Sequence, residues 1–332
     1  MITLSGIQPS GQLHLGNYFG AIRQHVERQT TPDESFYFIA NYHSLTSIHE
    51  GDSLAKYSLD VAIDYLALGL DATKCTLYLQ SDVPETTELA WILSTFSPVS
   101  LMEKGVAYKD KIAQGLTPNI GLFTYPILQA ADILIMQSNV VPVGEDQKQN
   151  IEIARDLAQK VNHSAQKELC TIPEPMFVEK GANVPGTDGK KMSKSSGNTI
   201  PIFAEGKALK KTLGTIVTDS KGLDESKDPE SCTVYRLIQL FATDEKADEI
   251  AEAYRAGGYG YGHAKQALQE LMDDHFGEAR ERRHDLSTRP DDVMDLLREG
   301  GRNARKKAAP FMEAMREHFG LLTTDTSPSV RA

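Results

Sequence analysis

Short, almost wholly apolar runs alternate along the first part of the chain with longer stretches whose apolar residues return every three or four positions. Ile2-Thr3-Leu4, Ser35-Phe36-Tyr37-Phe38-Ile39-Ala40, Thr76-Leu77-Tyr78-Leu79 and Val140-Val141-Pro142-Val143 read as strands. Helical spacing predicts helices from about Asn17 (Tyr18, Ala21, Ile22, Val26) and over 54–68, 85–96, 122–136 and 147–161. Strands that are apolar on both faces and separated by helices form a parallel sheet covered on each side, a doubly wound α/β fold. After about residue 200 the pattern changes. No strand is legible from Ala208 onward, and helices are predicted over 234–242, 245–255, 263–286 and 291–318, punctuated by Gly257-Gly258, Pro290, Gly300-Gly301 and Pro310. The chain therefore divides into an α/β domain over 1–200 and a C-terminal all-helical part. The latter comprises 201–290, a last helix over 291–322 and a frayed tail over 323–332. The link over 181–197, rich in Gly, Pro, Ser and Lys, reads as a mobile loop.

Composition adds exclusions. A 332-residue chain that is 40% hydrophobic and 24% charged is globular, with room for two domains. No run approaches the roughly 18 apolar residues of a membrane helix, so no membrane association is expected. The opening Met1-Ile2-Thr3-Leu4-Ser5-Gly6 lacks the basic region of a signal peptide, and none is expected. Cys75, Cys170 and Cys232 form no C-x-x-C pair and are odd in number, which points to reduced thiols and a cytoplasmic location. With 35 basic against 46 acidic residues the net charge is −11, which excludes non-specific binding to nucleic acid; no DNA partner is expected. Any nucleic acid must be held by local basic patches. The nine histidines show no ligand spacing, so no zinc is expected. Trp91 sits in a helical pattern and reads as core. Gly181-x4-Gly186 has P-loop glycine spacing, but Thr187-Asp188 replace the lysine and hydroxyl that the mechanism needs. Gly258-Tyr259-Gly260-Tyr261-Gly262 follows a helix rather than a strand, so it reads as a helix stop and turn.

Two segments carry chemistry. Gln8-Pro9-Ser10-Gly11-Gln12-Leu13-His14-Leu15-Gly16-Asn17 lies between the first strand and first helix, where free N–H groups and the helix dipole attract a phosphate. Gly16 admits a flat ligand close to the backbone, and His14 and Asn17 are three apart. The same residues also suit an ordinary turn in which Asn17 caps the helix. Gly189-Lys190-Lys191-Met192-Ser193-Lys194-Ser195-Ser196-Gly197-Asn198 can wrap a polyphosphate with charge-assisted hydrogen bonds, or be a solvated basic loop.

As a pair these segments resemble the HIGH and KMSKS signatures of class I aminoacyl-tRNA synthetases, here His14-Leu15-Gly16-Asn17 and a full match at Lys191-Met192-Ser193-Lys194-Ser195. The resemblance implies that 1–200 is a Rossmann-type catalytic domain ending in the KMSKS loop and that 201–290 binds the anticodon. It also implies that 291–322 packs back on the catalytic domain. Within the class, Ser5 to Gly11, Thr124 to Leu134 and Val141-Pro142-Val143-Gly144-Glu145-Asp146-Gln147 resemble the bacterial tryptophanyl family, from residue 2 to about 320.

The helix over 122–136 has its own physical reading. Tyr125, Gln129 and Asp132 at i, i+4 and i+7 share one face, while Ile127, Ala130, Ala131 and Leu134 lie roughly opposite and can pack on the sheet. A buried carboxylate there can accept an indole N–H; a solvent-facing Asp on an amphipathic helix is the alternative. The resemblance assigns Asp132 to the indole nitrogen. It gives the tryptophan pocket to His43, Tyr125, Gln129, Leu4, Gly6, Ile7, Gln8, Ile133, Val141, Val143 and Gln147. Gln129 and Leu4 depart from the methionine and phenylalanine of many bacterial members. Gln129, with Pro185-Gly186-Thr187-Asp188-Gly189, agrees instead with a second bacterial branch. Some members of that branch hold a cysteine-ligated iron–sulfur cluster. Only Cys232 is in place here, so no cluster is expected.

For ATP with Mg²⁺, the resemblance implies contacts from Gln8, Pro9, Ser10, Gly16, Asn17, Lys111, Gly144, Glu145, Asp146, Val184, Lys191, Met192, Ser193, Lys194 and Ser195. Glu145 and Asp146 also suit a helix N-terminus, and Lys111 an exposed surface. His14, Asn17, Lys191 and Lys194 are the expected catalytic residues, with no protein-bound metal. Arg280, Arg282 and Arg283, with Arg298, Arg302 and Arg305 at i, i+4 and i+7, can contact tRNA phosphates, or form solvated faces beside Glu281 and Glu299. A homodimer is expected. The rivals are a tyrosyl-tRNA synthetase, against which Gly144-Glu145-Asp146-Gln147 argues, and a synthetase-derived binding module that no longer charges tRNA.

Overall fold

The computed structural model describes residues 1–103, 105–113, 115, 117–144, 147–177 and 183–321. Strands β1 (Ile2–Ile7), β2 (Glu34–Ile39), β3 (Thr76–Leu79), β4 (Val140–Val143) and β5 (Glu174–Phe177) form one parallel sheet in the order β3-β2-β1-β4-β5. Such an order reverses direction between β1 and β4, and in doubly wound sheets the crevice at that reversal is where ligands sit. The local sequence opens it. β1 and β4 are in register only at Thr3 and Val140, and two residues on Pro142 has no N–H to extend a ladder.

The short helix α1 (Leu15–Asn17) runs through a π-helical turn, Tyr18–Ile22, into α2 (Arg23–Arg28). There follow α3 (Asn41–Ser44), α4 (Gly51–Ala67), α5 (Glu85–Ser94), α6 (Val99–Met102), α7 (Val106–Ala113), α8 (Ile120–Ile135) and α9 (Lys148–Ala165). One core packs α4 and the π turn, through Phe19, Ile22, Val61 and Tyr65, on one face of the sheet and continues into the C-terminal helices. The other packs α5, α8 and α9 on the opposite face around Leu4, Phe36, Leu89, Ala131 and Leu157.

The helical part comprises α10 (Gly206–Gly214), α11 (Thr233–Ile238), α12 (Asp244–Ala256), α13 (Tyr261–Ser287) and α14 (Pro290–His318). Helix α14 lies along the edge strand β3 and contributes Ala304, Ala308, Met312 and Met315 to the second core. Gly300 and Gly301 do not interrupt it, contrary to the sequence reading. They are the contact: a Cβ on Gly300 would sit 1.8 Å from the Leu77 carbonyl oxygen, and one on Gly301 2.6 Å from Asp82 Cβ.

The structure departs from the sequence reading at two other places. Trp91 is 74% exposed on α5, so the helical pattern does not carry it into the core. Strand β5 was not legible because Pro173 and Pro175 bracket Glu174; proline is tolerated there because the strand is an edge, paired only with β4. In the lysine-rich loop, over its described residues 183–197, Pro185 bridges Lys191, and buried Asn198 accepts from the Ser193 N–H and donates to Asp188 and the Lys191 carbonyl. The tail over 323–332 lies outside the described residues.

Candidate active site

A cleft of about 470 Å³ opens where β1 and β4 part. It draws in Leu4, Gly6, Ile7 and Gln8 from β1 and its end, His14, Gly16 and Asn17 from the first helix, and His43 from α3. Tyr125, Gln129, Asp132 and Ile133 enter from α8, Val141, Val143, Gly144 and Gln147 from β4 and its end, and Val184, Lys191 and Met192 from the lysine loop. These are all residues that the resemblance assigned to ATP, to tryptophan or to catalysis.

One end of the cleft is apolar with a polar floor. Asp132 is 3% exposed, and its Oδ2 lies 2.8 Å from His43 Nε2. Burial pushes its carboxyl above the usual range, and the hydrogen bonds from His43 and then Gln80 pull it back. Gly6 makes room for the Phe38 ring, whose edge would stand 2.4 Å from a Cβ at that position. Polar ends are held from behind: buried Asn150 donates to Gln129 Oε1 and to Gln147 Oε1, each at 2.9 Å. The departure from methionine at 129 thus brings an amide whose oxygen is satisfied. Sequence reasoning missed Gln80, Phe38 and Asn150. The available signal was position: Gln80 is the first residue after β3, at the carboxyl end where ligands gather.

The other end is basic. Lys194 reaches from the loop to the first turn, its Nζ 3.1 Å from Ser10 Oγ and 3.0 Å from the Gly11 carbonyl oxygen. Burial lowers its pKa to about 8, with Asp64 pulling the other way. Burial and then Lys194 lower His14 to about 4, so its imidazole is neutral at pH 7. Its Nδ1 is buried without a hydrogen-bond partner among the described residues. Asn17 Oδ1 accepts the His14 backbone N–H at 3.1 Å, the reach-back half of a capping box, so the residue stabilises the helix start as well as lining the cleft. Pro9 offers its carbonyl to Ser44 rather than to the cleft, and Ser193 bonds the hydroxyls of Ser195 and Ser196. Glu145, Asp146 and the Lys111 side chain lie outside the described residues. Among the described residues no three His, Cys, Asp or Glu side chains gather as a metal site. All three cysteines are buried thiols.

The arginines read as tRNA contacts are engaged within the chain. Arg283 pairs with Asp64 at 2.6 Å, Arg282 donates to the Ala67 carbonyl, and Arg280 pairs with Asp273 and donates to the Ala204 carbonyl. Arg305 pairs with Glu85, and the exposed Arg302 with its neighbour Glu299. The first three fasten α13 to α4 and to the segment just after the lysine loop. Arg280 and Arg283 are partly buried by these contacts, while Arg282 keeps 47% of its side chain exposed.

Comparison with known proteins adds to this geometry. The profile of the family described as tRNA synthetases class I (W and Y) matches residues 1–277. A tryptophan--tRNA ligase of Fusobacterium nucleatum is 50% identical over 320 residues, 96% of this chain and 98% of that protein. One of Rhodopirellula baltica is 48% identical, covering 97% of this chain and all of that one. The crystal structure of tryptophanyl-tRNA synthetase from Campylobacter jejuni complexed with ADP and tryptophan superposes with a TM-score of 0.90 at 48% identity, over 96% of this chain and 100% of that chain. No described helix is long and apolar enough to cross a membrane.

Proposed function

The chain belongs to the class I tRNA synthetases of the tryptophan and tyrosine type, and from that premise we infer that it joins L-tryptophan to its tRNA using ATP. The observation that carries the choice of amino acid is Asp132: a buried carboxylate at the apolar end of the cleft, fixed by His43, with a lysine-crossed phosphate turn beyond it. An indole N–H supplies the donor that such a carboxylate requires. A phenylalanine ring supplies none and leaves an acceptor site of the buried carboxylate unmet.

The reaction has two steps. The tryptophan carboxylate oxygen attacks the α-phosphorus of Mg·ATP in line; the bond to the bridging oxygen breaks and pyrophosphate leaves, giving tryptophanyl-adenylate. A terminal ribose hydroxyl of the tRNA then attacks the acyl carbon, loses its proton and expels AMP. Neither step needs a protein nucleophile, so the residues act by positioning and by stabilising phosphate charge. Gln8, Ser10, Gly16, Gly144, Val184 and the Met192 backbone hold the nucleotide. Neutral His14 offers a hydrogen bond to a phosphate oxygen without competing for a proton, with Asn17 beside it. Lys191 and Lys194 neutralise the departing pyrophosphate. Magnesium arrives with the nucleotide as part of the substrate, and no resident metal or iron–sulfur cluster takes part.

The active form is a homodimer in the cytoplasm. Exposed Trp91, Val99 and Ile120 stand on α5, α6 and α8, helices that pack on one another, and a second copy covering them explains why these apolar side chains face outward. Sedimentation at micromolar concentration gives twice the chain mass on this reading, and the single mass refutes it. The helical part over 201–290 receives the anticodon, and the exposed Arg282, Arg302 and Arg305 offer phosphate contacts. ATP–pyrophosphate exchange with a panel of amino acids tests the whole: exchange with tryptophan alone supports it, and exchange with tyrosine, or with none, overturns it.

A further inference from the structure

Gln80 is 1% exposed, lines no part of the cleft and yet touches the group that reads the amino acid. Its Oε1 accepts the backbone N–H of Tyr42 at 2.9 Å and faces that of His43 at 3.4 Å. Both belong to the first turn of α3, where N–H groups have no partner within the helix. Two N–H groups on one side settle which end of the amide is oxygen. The NH₂ therefore faces the other way, toward Asp132, 2.8 Å from Oδ1 and 3.0 Å from Oδ2. Bridging both oxygens, it occupies one edge of the carboxylate, while His43 takes a further site on Oδ2. A carboxylate has about four acceptor sites, so the remaining capacity lies on Oδ1 of a residue that lines the cleft.

We propose that Gln80 is a positioning residue for tryptophan specificity: by bridging the carboxylate it keeps Asp132 ionised and turned so that one oxygen is presented to the indole N–H. This rests on the tryptophan reading above. Without the amide, the carboxylate is free to rotate about its terminal bond or to take up a proton, and it then no longer demands a donor from the ligand. The effect on catalysis passes entirely through Asp132 and leaves ATP binding alone.

Pyrophosphate exchange is measured with tryptophan and with the analogue in which sulfur replaces the indole N–H (benzothienylalanine), for the wild type, Gln80→Met and Gln80→Glu. The wild type is expected to prefer tryptophan in kcat/KM. In Gln80→Met the preference falls about tenfold because only tryptophan loses, with KM for ATP unchanged. Gln80→Glu keeps the acceptor for Tyr42 and His43 and changes only the donor. Its preference for tryptophan therefore falls at neutral pH and recovers as acidification supplies the missing proton, a profile that the wild type lacks. If the Met variant fails to fold, this pH recovery alone decides. Equal losses on both substrates, or no recovery with acid, would mean that Gln80 only supports the fold, and the proposal is overturned. A wild type that does not distinguish the two substrates refutes the Asp132 reading itself, and the proposal with it.

Discussion

Lys194 and Ser10, separated by 184 residues in sequence, meet at 3.1 Å. The lysine loop and the first strand–helix turn therefore touch, and on the proposed function they form two sides of one phosphate site. Replacing Lys194 by alanine removes a charge needed only while pyrophosphate departs. The expected result is a 10²–10³-fold slower exchange, roughly the effect of losing one such donor, with tryptophan affinity unchanged. Exchange at the wild-type rate contradicts the role.

Burial gives the same lysine a pKa of about 8, below its ordinary value, so its proton is lost at lower pH than for an exposed lysine. In the free enzyme kcat/KM for ATP should therefore decline above about pH 8. Lys194→Arg, whose guanidinium stays charged, should move that decline upward. His14, lowered to about 4, is neutral throughout this range and should add no acidic limb above pH 5. A pH–rate profile for both proteins checks all three statements.

Glycine-to-alanine changes should have opposite signs in two helices. In α13, Gly277 has open space around its missing Cβ, and alanine there should stabilise by about 0.5–1 kcal/mol through the unfolded chain. In α14, a Cβ at Gly300 meets the backbone oxygen of Leu77, which cannot swing away; alanine there should cost at least about 1–3 kcal/mol despite its better helix propensity. Thermal melts of the two variants test the packing of α14 on β3.

Asp64 is buried between α4 and α13, and burial raises its pKa to about 6 even with Arg283 alongside. A carboxyl whose folded pKa lies above its unfolded value holds its proton more tightly in the folded state. Its contribution is therefore most favourable at low pH and is lost as pH rises through about 4 to 6. Arg283→Ala removes the compensating charge, so the midpoint temperature should fall more steeply over that window than in the wild type. Parallel slopes would deny the pair a role in joining the two parts of the chain.

The sheet strands β1 to β4 were legible as short apolar runs, and the long helices by apolar residues returning every three or four positions. The face shared by Tyr125, Gln129 and Asp132 followed from helical geometry alone. Strand β5 was not, since prolines at an edge erase the alternation that marks a strand. Gln80 and Asn150 were illegible for a different reason: Gln80 acts on Asp132, 52 residues away, and Asn150 on Gln129, 21 residues away, partners brought close only by the fold. Arg280 and Arg283 read as a solvated face because nothing in their own helix announces that Ala204 and Asp64 will stand opposite. Gly300-Gly301 looked like punctuation for the same reason, the strand that needs them being more than two hundred residues away.

The most direct measurement is tryptophan affinity in the wild type and in Asp132→Ala, by equilibrium binding without nucleotide. If the carboxylate accepts the indole N–H, its loss should weaken tryptophan about tenfold to a hundredfold and leave ATP affinity unchanged. Unaltered tryptophan binding in the variant would contradict the account.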